Sequence, residues 1–355
     1  MSRFWSSTLN RLLPYVPGEQ AQRSDVIKLN TNEHALSPSA AALEAGRAID
    51  PEQLRKYPDP HSTVLTKAIA DFCNLSEASV LVANGSDEIL AFAWTAFLSD
   101  KDQQPAIPAM TYTFYPVWAQ LLGKGLHRVP MREGLSVDLE AMTSWSGPVV
   151  FPNPNAPTAM AVSLSAIEAL CASNPDRLVV IDEAYHGFGA DTAAPLIAQF
   201  DNLLITRSFS KSHALAGLRV GYALGSRDLI DGLRRVKDSF NSYPVDAHAQ
   251  AVAAAAISDT EWFKHASSTI IENRSTLKSG LEDLEFSVLA SQANFVLAKH
   301  HKLSGVELTQ RLREVGILVR SWSSDELKAW VRVTVGTKSQ QQTLLAALKT
   351  ILAEA

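Results

Sequence analysis

Four stretches of this chain pair side chains capable of chemistry with spacing that would bring them together. Leu178-Val-Val-Ile-Asp182-Glu-Ala-Tyr185 delivers a carboxylate at the end of an apolar run and a phenol three residues later. A simple helix cap would use the same aspartate. Ser208-Phe-Ser210-Lys211 sets an amine after two hydroxyls. Its plainest reading is an exposed loop lysine. The Ser-x-x-Lys spacing would instead make Ser208 a nucleophile, but the companion tripeptides Ser-Asp-Asn and Lys-Thr-Gly do not occur. Asn84-Gly85-Ser86-Asp87-Glu88 opens an apolar helical run, and the free amides at such a start suit either an anion such as phosphate or a cap. Arg332 lies in the alternating Val331-Arg-Val-Thr-Val335, on a face that meets solvent or a site. Neither a P-loop nor a Gly-x-Gly-x-x-Gly is present. His300 and His301 are adjacent and cannot both face one site from a regular strand, so no metal is expected.

Parallel strands would have to position these groups. From about Ser62, helix-like segments alternate with short β-branched runs at Ser79 to Ala83, Val149 to Phe151, Leu178 to Ile181, Leu203 to Thr206 and Leu218 to Ala223. The alternation predicts an α/β fold with a mostly parallel sheet. Such sheets bind ligands beyond the carboxyl ends of their strands, where Asn84, Asn153, Asp182 and Ser208 fall. Residues 1–28, broken by Pro14, Pro17 and Gly18, read as an extended arm. A boundary near Phe240 divides a large domain, 29–240, from a smaller α+β domain, 241–355.

Composition narrows the functions. Among 355 residues, 46% are hydrophobic, and 32 Lys and Arg against 37 Asp and Glu give a net charge of −5, with no basic field for nucleic acid. Two isolated cysteines, Cys73 and Cys171, fit a reducing cytoplasm. The longest apolar runs fall short of the ~20 residues a membrane span needs.

Further segments extend the pattern: Pro14-Tyr-Val-Pro-Gly-Glu-Gln20, Lys28-Leu-Asn-Thr-Asn-Glu33, Tyr57-Pro-Asp-Pro60, Tyr112-Thr-Phe-Tyr115, Asn153-Pro-Asn-Ala-Pro-Thr158, Ala216-Gly-Leu-Arg219 and Arg332-Val-Thr-Val-Gly336. In this order, with the stretches above, the chain resembles the fold-type I pyridoxal-phosphate enzymes, and among them the histidinol-phosphate aminotransferases. The resemblance implies that Lys211 holds pyridoxal phosphate covalently and shuttles a proton, and that Asp182 pairs with the pyridine nitrogen. Tyr185 and Asn155 would bond the phenolic oxygen, and Tyr112 would stack on the ring. Ser86, Asp87, Ser208, Ser210 and Arg219 would hold the cofactor phosphate, joined by Tyr57 from a neighbouring subunit of a homodimer. Arg332 would clamp a carboxylate, while Arg320 and Tyr15 would meet the phosphate of the substrate.

The implied reaction is reversible amino transfer from glutamate to imidazole-acetol phosphate. A phosphothreonine decarboxylase or a broad aromatic aminotransferase could use the same scaffold. A silent regulator is disfavoured by the intact Lys211 and Asp182. Departures from the family pattern are His34-Ala35, Ala156, Ala159 and His213.

Overall fold

The structure is a computed structural model that describes residues 3–15, 17–20, 25–48, 50–99 and 103–354. Parts of the arm, Val16 among them, lie outside these residues. A seven-stranded sheet runs Val80–Ala83, Gly221–Gly225, Leu203–Ser208, Val179–Asp182, Val149–Pro152, Ala106–Pro108, His127–Val129. The pairs among the last five of these strands are parallel. Gly221–Gly225 runs antiparallel to both neighbours, Val80–Ala83 and Leu203–Ser208. Its predicted span began too early, because Leu218 lies in a 3₁₀ turn and Arg219 adopts a left-handed φ of +56° before the strand starts.

Pleating explains why these strands read as unbroken apolar runs: both faces are covered. Val179 and Ile181 enter one core with Val149, Phe151, Leu203 and Ile205. Val180 enters the other with Val150, Leu204 and the buried helix face of Ile89, Leu90 and Ala93. Each of these larger side chains contributes about 1.5–3 kcal/mol by leaving water.

The C-terminal part carries a four-stranded antiparallel sheet in the order Arg320–Ser321, Trp330–Thr334, Phe295–Lys299, Ser287–Val288. Its core is filled by Ile270, Leu277, Val296, Val331 and Leu344. Leu29 belongs to this core as well, since Ile27–Lys28 pairs in parallel with Ile317–Leu318. The helix Ala247–Ser258 falls beyond the division near Phe240, yet it packs with the large sheet: Ala249, Val252, Ala253 and Ile257 join the core that holds Ile181. The arm is not wholly extended. Ser7–Arg11 forms a short helix, with Ser6 accepting from the amide of Leu9 at 3.1 Å.

Candidate active site

Beyond the carboxyl ends of the parallel strands lies a cleft of about 1180 Å³. Asp182 is the last residue of its strand, opposite Thr206 and Pro152 on the two neighbours. It is 4% exposed and accepts from Thr206 Oγ1 at 3.2 Å, the amide of Ala184 at 3.1 Å and Tyr115 Oη at 3.3 Å. Burial, with Asp87 nearby, pushes its carboxyl up to about 7. Lys211 sits in the short helix Phe209–Ser212, whose cap Ser208 accepts from the amide of Ser210 at 3.0 Å. Its Nζ donates to the carbonyl of Thr31 at 2.9 Å. Burial, then Arg332 and, opposed by Glu33, Arg219 lower this amine to about 8.

The expected anion site is formed by local geometry. Asn84 precedes the helix Gly85–Ala96 but does not cap it; its amide turns to the carbonyl of Pro244, so the first-turn N–H groups have no side-chain cap. Gly85 has φ +80°, and a Cβ there would come 2.8 Å from Arg219 Nη2. A Cβ on Gly221 would come 2.3 Å from the amide nitrogen of Ser86. These two glycines let the helix start, the antiparallel strand and the guanidinium meet. Arg219 donates to Ser210 Oγ at 3.3 Å and pairs with Asp87 Oδ2 at 3.3 Å. Asp87 also accepts from Tyr112 Oη at 3.0 Å.

On the substrate side, Arg320 and Arg332 stand directly opposite each other across an antiparallel pair. Like charges in that position repel unless an anion joins them. The Arg332 guanidinium lies over Phe295 at 5.3 Å and Trp322 at 5.7 Å, donates to the carbonyl of Asn30 at 2.8 Å, and leaves its Nε without a partner. Tyr15 reaches the cleft from the arm, 5.1 Å from the ring of Phe114.

Thus Lys211, Asp182, Tyr185, Tyr112, Ser86, Asp87, Ser208, Ser210, Arg219, Arg320, Arg332 and Tyr15 converge on one cleft. One residue expected in this chain's own cleft is not among those lining it. Asn155 is buried behind the wall, its amide donating to the carbonyl of Met110 at 3.1 Å and to Thr158 at 2.9 Å, while Ala156 and Pro157 face the cleft. Tyr57, expected to serve a neighbour's site and not this one, is 82% exposed outside the cleft lining and stacks on Tyr243 with centroids 4.6 Å apart. Three residues given no role from the sequence belong to the site. Tyr115 and Thr206 bond Asp182, and Asn32 donates to Tyr185 Oη at 2.9 Å.

A buried acid whose bonds come only from neutral groups, a depressed lysine and an uncapped helix start beside an arginine suit a cationic ring, a carbonyl carbon and a phosphate on one molecule. Pyridoxal phosphate has those three parts. The chain belongs to the class I and II aminotransferases, whose family pattern matches residues 24–348. Among its relatives, the histidinol-phosphate aminotransferase of Gluconacetobacter diazotrophicus is 50% identical over 99% of both chains. Histidinol-phosphate aminotransferase 1 of Bradyrhizobium diazoefficiens is 48% identical over 99% of this chain and 100% of its own. The histidinol-phosphate aminotransferase of Sinorhizobium meliloti, solved in complex with pyridoxal 5′-phosphate, superposes with a TM-score of 0.88 at 23% identity, covering 100% of this chain and 99% of that one.

Proposed function

We propose that this enzyme is a homodimeric histidinol-phosphate aminotransferase that moves an amino group reversibly from glutamate to imidazole-acetol phosphate. Beyond the likeness to its relatives, the observation that carries the reading is the facing pair Arg320 and Arg332 beside Lys211. One cleft then has two cations for two differently charged substrates. Arg332 takes the α-carboxylate of glutamate as a fork. Histidinol phosphate has no such carboxylate, and its phosphate ester meets Arg320 with Tyr15.

Pyridoxal phosphate, when bound, supplies the electron sink for the substrate α-carbon. Lys211 would carry it, Asp182 would hold the proton on its ring nitrogen, and the Ser86 and Asp87 amides with Ser208, Ser210 and Arg219 would hold its phosphate. Lys211 Nζ, lowered to about 8, is neutral in part near neutrality and accepts the α-carbon proton. Asp182, pushed up to about 7 on its own, ionises fully beside a cation and so favours a protonated ring nitrogen. Tyr112 packs at the cleft wall, where its ring can lie on the cofactor.

The homodimer is supported by Tyr57, which is exposed on its own chain and free to reach a neighbour's phosphate site. In this reading a large unit holds the cofactor and a smaller C-terminal one brings Arg320 and Arg332. The unpaired cysteines Cys73 and Cys171 support a cytoplasmic setting. Among the described residues, no helix is long and apolar enough to cross a membrane. Purified protein supplied with histidinol phosphate and 2-oxoglutarate should form glutamate. No glutamate, with carbon dioxide released from phosphothreonine, would overturn the reading.

A further inference from the structure

Three successive residues tie the site groups together. The carbonyl of Asn30 accepts from Arg332, that of Thr31 accepts from Lys211, and the side chain of Asn32 reaches Tyr185. The last contact has a fixed polarity. Thr334 Oγ1 accepts from the backbone N–H of Asn32 at 3.0 Å and gives its one proton to Asn32 Oδ1 at 3.2 Å. The amide is thereby oriented with Nδ2 toward Tyr185, and the 2.9 Å contact is an N–H donating to the phenol oxygen. Asn32 is 1% exposed, sits at φ +54°, a conformation asparagine tolerates, and its carbonyl receives Asn294 Nδ2 at 3.0 Å.

A phenol has one proton to give. With Asn32 donating to the oxygen, that proton turns away from Asn32, and Tyr185 lines the cleft. We propose that Asn32 is a positioning residue that makes Tyr185 a hydrogen-bond donor into the cleft, toward the phenolic oxygen of pyridoxal phosphate. The proposal rests on the cofactor reading above. A donor on that oxygen draws off negative charge, so the nitrogen joining Lys211 to the cofactor holds its proton less tightly. Without Asn32, Tyr185 is free to turn its proton elsewhere, and that nitrogen stays protonated to higher pH.

The test is the visible absorbance of the holoprotein followed against pH. Asn32→Gly keeps the backbone groups, tolerates the left-handed turn and adds no charge. It should raise the midpoint of the colour change by roughly half to one pH unit. Tyr185→Phe should raise it too, and adding Asn32→Gly to Tyr185→Phe should move it no further. Asn32→Asp, which keeps size and backbone but puts an acceptor against Tyr185, should raise the midpoint more with Tyr185 present than with Phe. A midpoint for Asn32→Gly equal to wild type, or a shift of the same size in both backgrounds, overturns the proposal. Wild-type protein that gains no visible band with added pyridoxal phosphate overturns the cofactor reading itself, which separates the two failures.

Discussion

Burial moves Lys211 and Asp182 in opposite directions, and each shift suits its partner. The amine falls to about 8 and so can take a proton near neutral pH, whereas the acid, raised to about 7 by burial and Asp87, gains its full charge when a cation faces it. Replacing Lys211 by Ala should cut turnover by at least about 10³-fold and abolish the visible band, while leaving pyridoxal phosphate able to bind through its phosphate. Absorbance and equilibrium dialysis check both halves. Asp182→Asn leaves an amide of the same size that cannot neutralise a ring cation. Turnover should fall by about 10²–10³-fold, as expected when a buried charge loses its partner, and steady-state kinetics measures it. These two residues were legible in the sequence because each role demands one residue type at a strand's carboxyl end. Asn32 was not, because its role depends on a left-handed turn and on Thr334, which is 302 residues away. Asn155 differs: its Oδ1 is enclosed without a partner. The motif places it next to the cleft, but a tight turn bonds its amide inward to Met110.

Behind the segment that carries Lys211, His186 and His213 meet around Phe72 and Phe263, and His34 packs on Phe188 and Trp262. His186 and His213 both stack on Phe263 at 5.2 Å, and the Nε2 atoms of His34, His186 and His213 are enclosed without partners. Two of these, His34 and His213, are departures from the family pattern that had no explanation in the sequence. Burial holds His34 down to about 4 and His213, with Arg207 adding to the effect, down to about 3, while His186 is also held low. Folded pKa values below the unfolded 6.5 mean that the unfolded chain takes up protons first as pH falls. Their contribution is intact above about pH 6.5 and is lost toward pH 3–4, at about 1.4 kcal/mol per pH unit for each histidine. Urea unfolding at pH 7 and pH 5 should therefore show a smaller loss for His213→Phe than for wild type, by about 2 kcal/mol. At this scale the long buried strands were legible from their apolar runs. The short strands Ala106–Pro108 and His127–Val129 were not, having three residues each and little periodicity to read.

At the scale of the whole molecule, the reading requires two chains. If Tyr57 completes a neighbour's phosphate site, Tyr57→Ala and Lys211→Ala homodimers are each impaired, but mixed dimers contain one site with both lesions and one with neither. Unfolding the two variants together and refolding them should restore activity that neither has alone; activity no higher than the sum of the separate variants would count against shared sites. Net charge gave no hint of this arrangement. A total of −5 excludes a nucleic-acid field but averages over a cleft that gathers Lys211, Arg219, Arg320 and Arg332.

The reversed strand Gly221–Gly225 also has a consequence for how the enzyme comes into being. It pairs Leu224 with Ile205 of the strand just before it in sequence and with Val80 of a strand far upstream, and the second pairing forms only once a very long loop has closed. Arg219 leads into that strand and the Ser86 amide abuts its first glycine. The grip on phosphate is then among the last features to form. In refolding, colour from added cofactor should lag behind helical circular dichroism, making cofactor capture a signal that the chain has finished folding.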